Sequence, residues 1–328
     1  MNSKIGVVVI GRNEGERLQK CLLTLIPQAQ NIVYVDSGST DNSVLFATSS
    51  GVAVVQLDLK TPFSAGRARN EGFYYVLELW PDIDYVQFID GDCELVTGWL
   101  AHAKSYLEAN SSWAIVAGHV KESYPEKSIY NLLCDMEWKT PIGKIDSCGG
   151  IFIVKAQAFQ MINGFNTEVI AGEEPELCYR LRQQCWEIHK LDHYMAWHDA
   201  DMTRFMQWWR RCVRSGHAYA QGTLLHGINN SKYCFRDSLR IWIWGMFLPC
   251  TILSLTFYTN IWSVLLWLIY PAQLLRIAIQ ANRHLGNSPQ ALLYALFNIA
   301  GKFPQFIGQL IFIKRKLLKT GFSIIEYN

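Results

Sequence analysis

The chain has 328 residues, a formal net charge of +2 and 18% charged residues. That length suits one large domain with an appendage, or two domains, and so balanced a charge excludes a nucleic-acid binder held by electrostatics. Half of the residues are hydrophobic and 13% are aromatic, with 12 Trp, rich for a soluble domain, and the excess gathers after Ile241. The nine Cys form no Cys-x-x-Cys pair and no zinc-like spacing, so they read as reduced, mostly buried thiols of a cytosolic protein. Lys4 followed by Ile5 to Ile10 is too short to be the apolar core of a signal peptide with its cleavage site. No repeat or low-complexity tract is present.

Ile5 to Ile10 is an apolar, largely β-branched run, as expected of a strand buried on both faces of a parallel sheet. Gly11-Arg12-Asn13-Glu14-Gly15 follows as a polar turn. A helix is predicted from about Glu16 to Ile26, with Leu18, Leu22 and Leu25 on one face. The next strand is Asn31 to Val35, ending in Asp36-Ser37-Gly38-Ser39-Thr40-Asp41, where Ser39 or Thr40 is placed to cap a helix beginning near Asn42. Val52 to Leu57 is a third strand. Ser64 to Gly72 opens a helix whose free N–H groups, with Arg67 and Arg69, can face an anion; the alternative is that both arginines are solvated helix residues. Tyr85 to Ile89 is a further buried strand. It stops at Asp90-Gly91-Asp92, two carboxylates separated by a glycine that lets the backbone turn tightly.

Strand and helix alternate at short intervals, which predicts a parallel, doubly wound sheet. Ligands bind at the C-terminal ends of such strands, and a nucleotide is the expected one. Neither Gly-x-Gly-x-x-Gly nor a P-loop is present, so dinucleotide and P-loop readings lack support. The polar residues fall instead at successive strand ends: Arg12-Asn13-Glu14, Asp36-Ser37 and Asp90-Gly91-Asp92. Two hard oxygen donors this close suit Mg²⁺ or Mn²⁺, although Asp-Gly-Asp also occurs in plain turns.

Val8-Val9-Ile10-Gly11-Arg12-Asn13-Glu14, Val33 to Asp41, Ala68-Arg69-Asn70-Glu71-Gly72 and Phe88-Ile89-Asp90-Gly91-Asp92 together resemble the ordered motifs of family 2 glycosyltransferases. These are inverting enzymes of GT-A fold that use nucleotide sugars. The resemblance spans about Met1 to Gly222. It implies that Asp36 helps to hold the nucleoside, that Arg69 and Asn70 lie near the base and phosphates, and that Asp92 binds the metal on the diphosphate, with Asp90 beside it on ribose or metal. Arg12, Asn13 and Glu14 join the nucleotide-sugar site on the same grounds, and Arg67 joins it through the anion-facing start of its helix. Many relatives carry two adjacent Asp where this chain has Asp36-Ser37, so the nucleobase contact departs from the pattern.

Further on, Ala114 to Gly118 is a short strand. Ile145 to Val154 pairs a glycine turn, Gly149-Gly150, with an apolar strand; the glycines permit close backbone approach to a ligand or simply serve a turn. In the resembled family this stretch borders sugar and acceptor. Ile170 to Arg182 places Glu173, Glu174 and Pro175 at the start of a helix, with Leu177 and Leu181 toward the core and Glu176 paired with Arg180 on the surface. An inverting transfer needs a carboxylate to take the acceptor's proton, and Glu173 and Glu174 are the candidates. By position in the family motif, Glu174 is where the base is expected. His198, after a strand-like stretch, is a candidate metal or diphosphate contact, or a buried, satisfied histidine. Gln207-Trp208-Trp209-Arg210-Arg211 loosely resembles the Gln-x-x-Arg-Trp signature of processive members. Trp209 and Arg210 can stack on and pair with an acceptor or diphosphate; a basic, aromatic helix at a membrane surface is the other reading.

Ile241 to Leu275 lacks any charged residue. It is too long for one span of roughly 20 residues and short for two, so a hairpin of short or tilted helices is expected, with its turn at Thr259-Asn260. Lys232, Arg236 and Arg240 on one flank and Arg276 and Arg283 on the other put both ends in the cytoplasm. Trp242, Trp244, Trp262 and Trp267 mark the interfaces. Residues 291–313 read as an interfacial or transmembrane helix, broken by Lys302 and Pro304 and followed by Lys314-Arg315-Lys316. The expected protein is therefore α/β, with a GT-A-type doubly wound mixed sheet over residues 1–225 and a membrane-associated helical region over 226–328. It sits on the cytoplasmic side of the cell inner membrane and needs Mg²⁺ or Mn²⁺. It takes a nucleotide sugar, UDP-sugar favoured, and a lipid-linked or glycan acceptor, and no nucleic acid. Two rivals remain. A nucleotidyltransferase wants a basic, Gly-rich loop after the first strand, where this chain has an acid. A non-catalytic membrane scaffold would keep the fold for binding alone.

Overall fold

The computed structural model describes residues 4–62, 64–258 and 261–318. The chain clusters into two compact units, Met1–Lys127 with Thr140–Asp201, and Ser128–Lys139 with Met202–Asn328. In chain order the elements begin with β1 (Lys4–Gly11), α1 (Glu16–Leu25), β2 (Asn31–Asp36), α2 (Ser43–Ser49), β3 (Ala53–Gln56), α3 (Ala65–Leu79) and β4 (Ile83–Asp90). There follow β5 (Cys93–Leu95), α4 (Trp99–Ala109) and β6 (Trp113–Glu122), and then α5 (Ile129–Glu137), which belongs to the second unit. The chain returns with β7 (Gly143–Lys144), β8 (Phe152–Lys155), α6 (Ala156–Met161), α7 (Glu173–Gln183) and β9 (Glu187–His198).

The first unit is built on a nine-stranded sheet ordered β3-β2-β1-β4-β8-β6-β9-β5, with β7 paired to β9. Strands β3, β2, β1 and β4 are parallel, as the alternation of strand and helix predicts. Beyond β4 the sheet turns mixed, because β8 runs antiparallel to both β4 and β6. Val7, Val8 and Val9 are fully buried, consistent with helices on both faces. One face carries an aromatic core in which Phe159 stacks within 4.3 Å of Phe73 and 5.3 Å of Phe88. On the other face the buried Gln87 amide accepts from Trp99 Nε1 at 2.9 Å.

Three local expectations change. Ser39 and Thr40 do not cap α2: Ser39 Oγ accepts from Asn13 N and the Thr40 hydroxyl reaches Asn13 Oδ1, so both serve the loop after β1. The strand expected at Ala114 to Gly118 continues to Glu122, because β9 pairs along its whole length. Glu176 and Arg180 do pair, at 2.8 Å, but Glu176 is buried. Arg180 also donates to the carbonyls of Ile162 and Gly164. The pair therefore fastens α7 to the 162–164 turn and is no surface bridge.

The second unit continues with α8 (Phe205–Gly222), a π-helical stretch Thr223–Ser231, α9 (Phe235–Trp242), α10 (Leu248–Tyr258), α11 (Ile269–Leu285), α12 (Ser288–Ala300) and α13 (Lys302–Leu317). Among the described residues, three continuous helical runs are long and apolar enough to cross a membrane: Phe235–Tyr258, Trp262–Leu285 and Ser288–Leu317. The first two are 24 residues each, about 36 Å at 1.5 Å per residue, so they exceed the short helices expected between Ile241 and Leu275. They do so by running outward past Arg236, Arg240, Arg276 and Arg283. The turn expected at Thr259-Asn260 lies outside the described residues. Phe257, Tyr258, Trp262 and Leu268 are largely exposed, as side chains meant for lipid would be.

Helices α8 and α13 approach almost backbone to backbone. A Cβ on Gly216 would lie 1.9 Å from Gln305 O, and one on Gly308 2.0 Å from Val213 O. Gly216→Ala is accordingly expected to destabilise the second unit by about 1–3 kcal/mol, read as a lowered thermal midpoint in detergent. An unchanged midpoint would contradict the crossing.

Candidate active site

The site grows from the paired ends of β1 and β4. Ile10 lies opposite Asp90 in the ladder, and Gly91 N donates to Ile10 O at 2.8 Å. The loops after the two strands therefore run side by side. Glu14 is drawn against the Asp-Gly-Asp turn, where a Cβ on Gly91 would sit 3.2 Å from its Cγ. Burial, with Asp92 and Asp90 nearby, pushes Glu14 up to about 7, against the pull of its 2.7 Å partner Arg17. Arg17 also donates to Asp199 O.

Asp92 meets His198 because β9 lies beside both β5 and β6, with His198 opposite Cys93 in one ladder and Glu122 in the other. His198 Nδ1 bonds Glu122 Oε1 at 2.5 Å, while its Nε2 faces Asp92 Oδ2 at 3.6 Å. Glu122 also accepts from Ala200 N. Burial favours the neutral ring, yet Asp92 and Glu122 outweigh it and hold the imidazolium well above its ordinary range. Burial likewise opposes ionisation of Asp92, but His198 keeps that carboxyl below the usual range.

Arg69 is the second centre. It is buried on α3 and donates to Asp90 Oδ1 at 2.7 Å and to Glu173 Oε1 at 3.1 Å. Its Nε has no hydrogen-bond partner among the described residues. The Gly149-Gly150 turn closes over this bridge: Gly149 has φ +87°, and a Cβ on Gly150 would stand 2.8 Å from Arg69 Nη2 and 3.0 Å from Asp90 Oδ2. Burial raises Asp90, with Arg69 opposing.

Glu174 points elsewhere. Its Oε1 accepts from Cys148 N at 2.6 Å and lies within 3.1 Å of Cys148 Sγ and 2.9 Å of Cys178 Sγ. Burial lifts its pKa even though these donors favour the carboxylate.

Other expected contacts are occupied by the protein itself. Asp36 accepts from Tyr34 Oη and from the backbone N–H of Gly38 and Ser39, so it shapes the loop after β2. Asn13 Oδ1 takes Thr40 N at 2.7 Å. Arg12 is half-buried nearby. Arg67 donates to Asp58 O and Thr61 O. Asn70 exchanges both amide bonds with the backbone of Phe165. Trp209 and Arg210 lie on α8 in the second unit, where Trp209 packs against Phe205 and Arg210 is exposed. Glu122, Arg17, Cys148 and Cys178 were not anticipated. Cys178 alone had a signal, four residues after Glu174 on a helix; the others are brought in by long-range pairing.

A doubly wound sheet with carboxylates at its C-terminal edge and a glycine turn over a buried arginine defines a GT-A domain. Residues 6–148 match the family model of glycosyl transferase family 2. The mannosyltransferase PcManGT of Pyrobaculum calidifontis, solved in complex with GDP-Man and Mn²⁺, is similar in fold with a TM-score of 0.58 at 17% identity, over 98% of this chain and 88% of that one. S. aureus TarS has a TM-score of 0.51 at 12% identity, over 93% of this chain and 55% of its own. A TPR repeat-containing protein of Synechococcus elongatus is 27% identical over 106 residues, 32% of this chain. The chain spans about a quarter of that curated relative (25%). Residues 6–148 are thus similar to glycosyl transferase family 2, and the fold is of the GT-A type.

Proposed function

We propose that the chain transfers a sugar, with inversion, from a nucleotide diphosphate to a hydroxyl acceptor, and that residues 1–225 carry the chemistry while 226–328 hold it at a membrane. The observation that carries this is the row of groups at the sheet edge: Glu122, His198 and Asp92 in one line, and Asp90, Arg69 and Glu173 in the next. Asp92, Cys93 and His198 present donor atoms within 4.8 Å of one another. The oxygen and nitrogen donors of that group suit Mn²⁺ or Mg²⁺, and Glu122 fixes the ring so that Nε2 faces Asp92. Asp92 and His198 would hold the ion, with Asp90 adjacent. When bound, it would offset the charge that develops on the leaving diphosphate.

The chain's own residues do the rest. Arg69 compensates Asp90 and Glu173, keeping the floor of the site fixed. The Arg12-to-Glu14 loop and the Asp36 loop, tied together through Asn13, form the expected seat of the nucleoside. Glu174, held by Cys148 N, removes the acceptor's proton as its oxygen attacks C1. A carboxylate raised by burial is a better base near neutrality than an exposed one. The apolar helices support a lipid-linked acceptor used at the cytoplasmic face of the cell inner membrane.

The test is calorimetry of the detergent-solubilised chain with UDP, GDP and CDP, with and without Mn²⁺, followed by transfer assays on Glu174→Gln. UDP is the expected base. Glu174→Gln should bind the nucleotide normally yet lose transfer by about 10²–10⁴-fold. In the wild type the acid limb of kcat/KM should lie above the ordinary carboxylate range, because the base works only after losing its proton and its pKa is raised. Failure of all three nucleotides to bind under either condition would sink the transferase reading and favour a scaffold.

A further inference from the structure

Two sulfur donors that sugar transfer does not require converge on Glu174. Cys148 comes from the loop before β8, and Cys178 lies one helical turn after Glu174 on α7. Their sulfurs stand 3.8 Å apart. A tetrahedral ion with bonds of about 2.3 Å to sulfur also holds two thiolates about 3.8 Å apart. Glu174 Oε1, at 3.1 and 2.9 Å from the two sulfurs, would have to withdraw by about half an ångström to complete a third vertex. Two sulfurs and one carboxylate oxygen select a soft or borderline dication over Mg²⁺ or Mn²⁺, which take oxygen-rich sets. Cys178 and Glu174 are buried, and the half-buried Cys148 gives the approach.

We propose that Cys148, Glu174 and Cys178 form a site for one soft divalent cation of the Zn²⁺ or Cd²⁺ class, separate from the Asp92 and His198 donors, and that its occupation silences transfer. The silencing rests on Glu174 being the base; the metal site does not. Binding exchanges two S–H protons for two metal–sulfur bonds, the protons pass to solvent, and no electrons move. Burial pushes both thiols up, Cys178 to about 12. Both thiols therefore carry their protons at neutral pH, and the site admits only an ion that competes for thiolates.

Cd²⁺ is the probe. The full chain in detergent is titrated with Cd²⁺ while thiolate-to-metal charge-transfer absorbance and proton release are followed, beside Cys148→Ser, Cys178→Ser and the double variant. The double variant supplies the background from the remaining cysteines. One Cd²⁺ bound per chain above that background, with about two protons released and an affinity at least about tenfold weaker in either single variant, supports the site. The same absorbance and proton release in the double variant overturn it. Should a variant fail to fold, the wild type decides: a Cd²⁺ bound without proton release overturns the site. A transfer assay at saturating Mn²⁺ reads the second half. One equivalent of Cd²⁺ should suppress the wild type, while Cys148→Ser keeps its own metal-free rate. Bound Cd²⁺ with undiminished transfer overturns the silencing and the assignment of the base together, and leaves the metal site standing.

Discussion

Arg69→Lys is expected to destabilise the first unit by about 2–4 kcal/mol. Arg69 is 2% exposed, and its guanidinium spans two carboxylates, Asp90 at 2.7 Å and Glu173 at 3.1 Å. A lysine brings a single point charge in place of a planar fork, so one carboxylate is left unpaired. Glu173 keeps only 13% of its side chain exposed and carries most of the cost, whereas Asp90, at 35%, is partly relieved by water. Urea unfolding followed by near-ultraviolet circular dichroism measures the loss; a change below about 0.5 kcal/mol would mean that the bridge is dispensable. The sign of the pH dependence follows from the same geometry. Burial already raises the Asp90 pKa, and losing Arg69 raises it further. Protonating Asp90 then leaves the lysine free to pair with Glu173, so lowering the pH should return part of the stability to the variant. The wild type should gain less.

Asp92→Asn is expected to remove metal-dependent nucleotide binding and to reduce transfer by at least about a hundredfold, since loss of a group that merely orients a metal ligand already costs about 10–100-fold. The fold should survive, because asparagine is nearly isosteric. Its loss should also be felt by its neighbours. Glu14 is held at about 7 by burial and then by Asp92, so removing that charge lets Glu14 ionise more readily. The folded carboxyl is raised above its unfolded value, and its ionisation therefore costs stability above about pH 7 and nothing below the ordinary carboxylate range. Removing Asp92 also removes the pairing that lowers its own carboxyl and raises His198, a stabilisation present at pH 4, so without divalent ions Asp92→Asn should melt below the wild type at pH 4, with the deficit shrinking toward pH 8 as Glu14 is relieved. Wild-type transfer in the variant would refute the assigned role of Asp92.

Much of this was legible in the chain. The strand ends could be read because each apolar run stops on a polar motif, as at Ile10, Val35 and Ile89, and parallel strands bring such ends to one edge. Leu177 and Leu181 facing the core followed from helical spacing, and both are fully buried. Glu122 could not be read. It owes its place to a ladder between β6 and β9 whose register shifts three times before Glu122 meets His198, and no local pattern encodes such a register. Glu176 and Arg180 were read as a solvated pair because i,i+4 spacing says nothing of what lies above the helix; here the 162–164 turn does. The membrane runs were underestimated for a simpler reason. Charge-free length marks the apolar centre of a helix, while backbone hydrogen bonding carries the helix on past the first arginines.

The crossing of α8 and α13 has a consequence for how the protein is made. Gly216 emerges from the ribosome well before Gln305, its backbone neighbour, with about ninety residues, two complete apolar runs and the first part of the third between them, a contact of high sequence separation that closes late. Until α13 is synthesised, the glycine face of α8 lacks the backbone it packs against. The crossing of α8 and α13 therefore forms only after the apolar runs between them have been made. A stop codon placed just before Lys302 should yield a chain whose α8 is cut by protease while β1 to β9 resist.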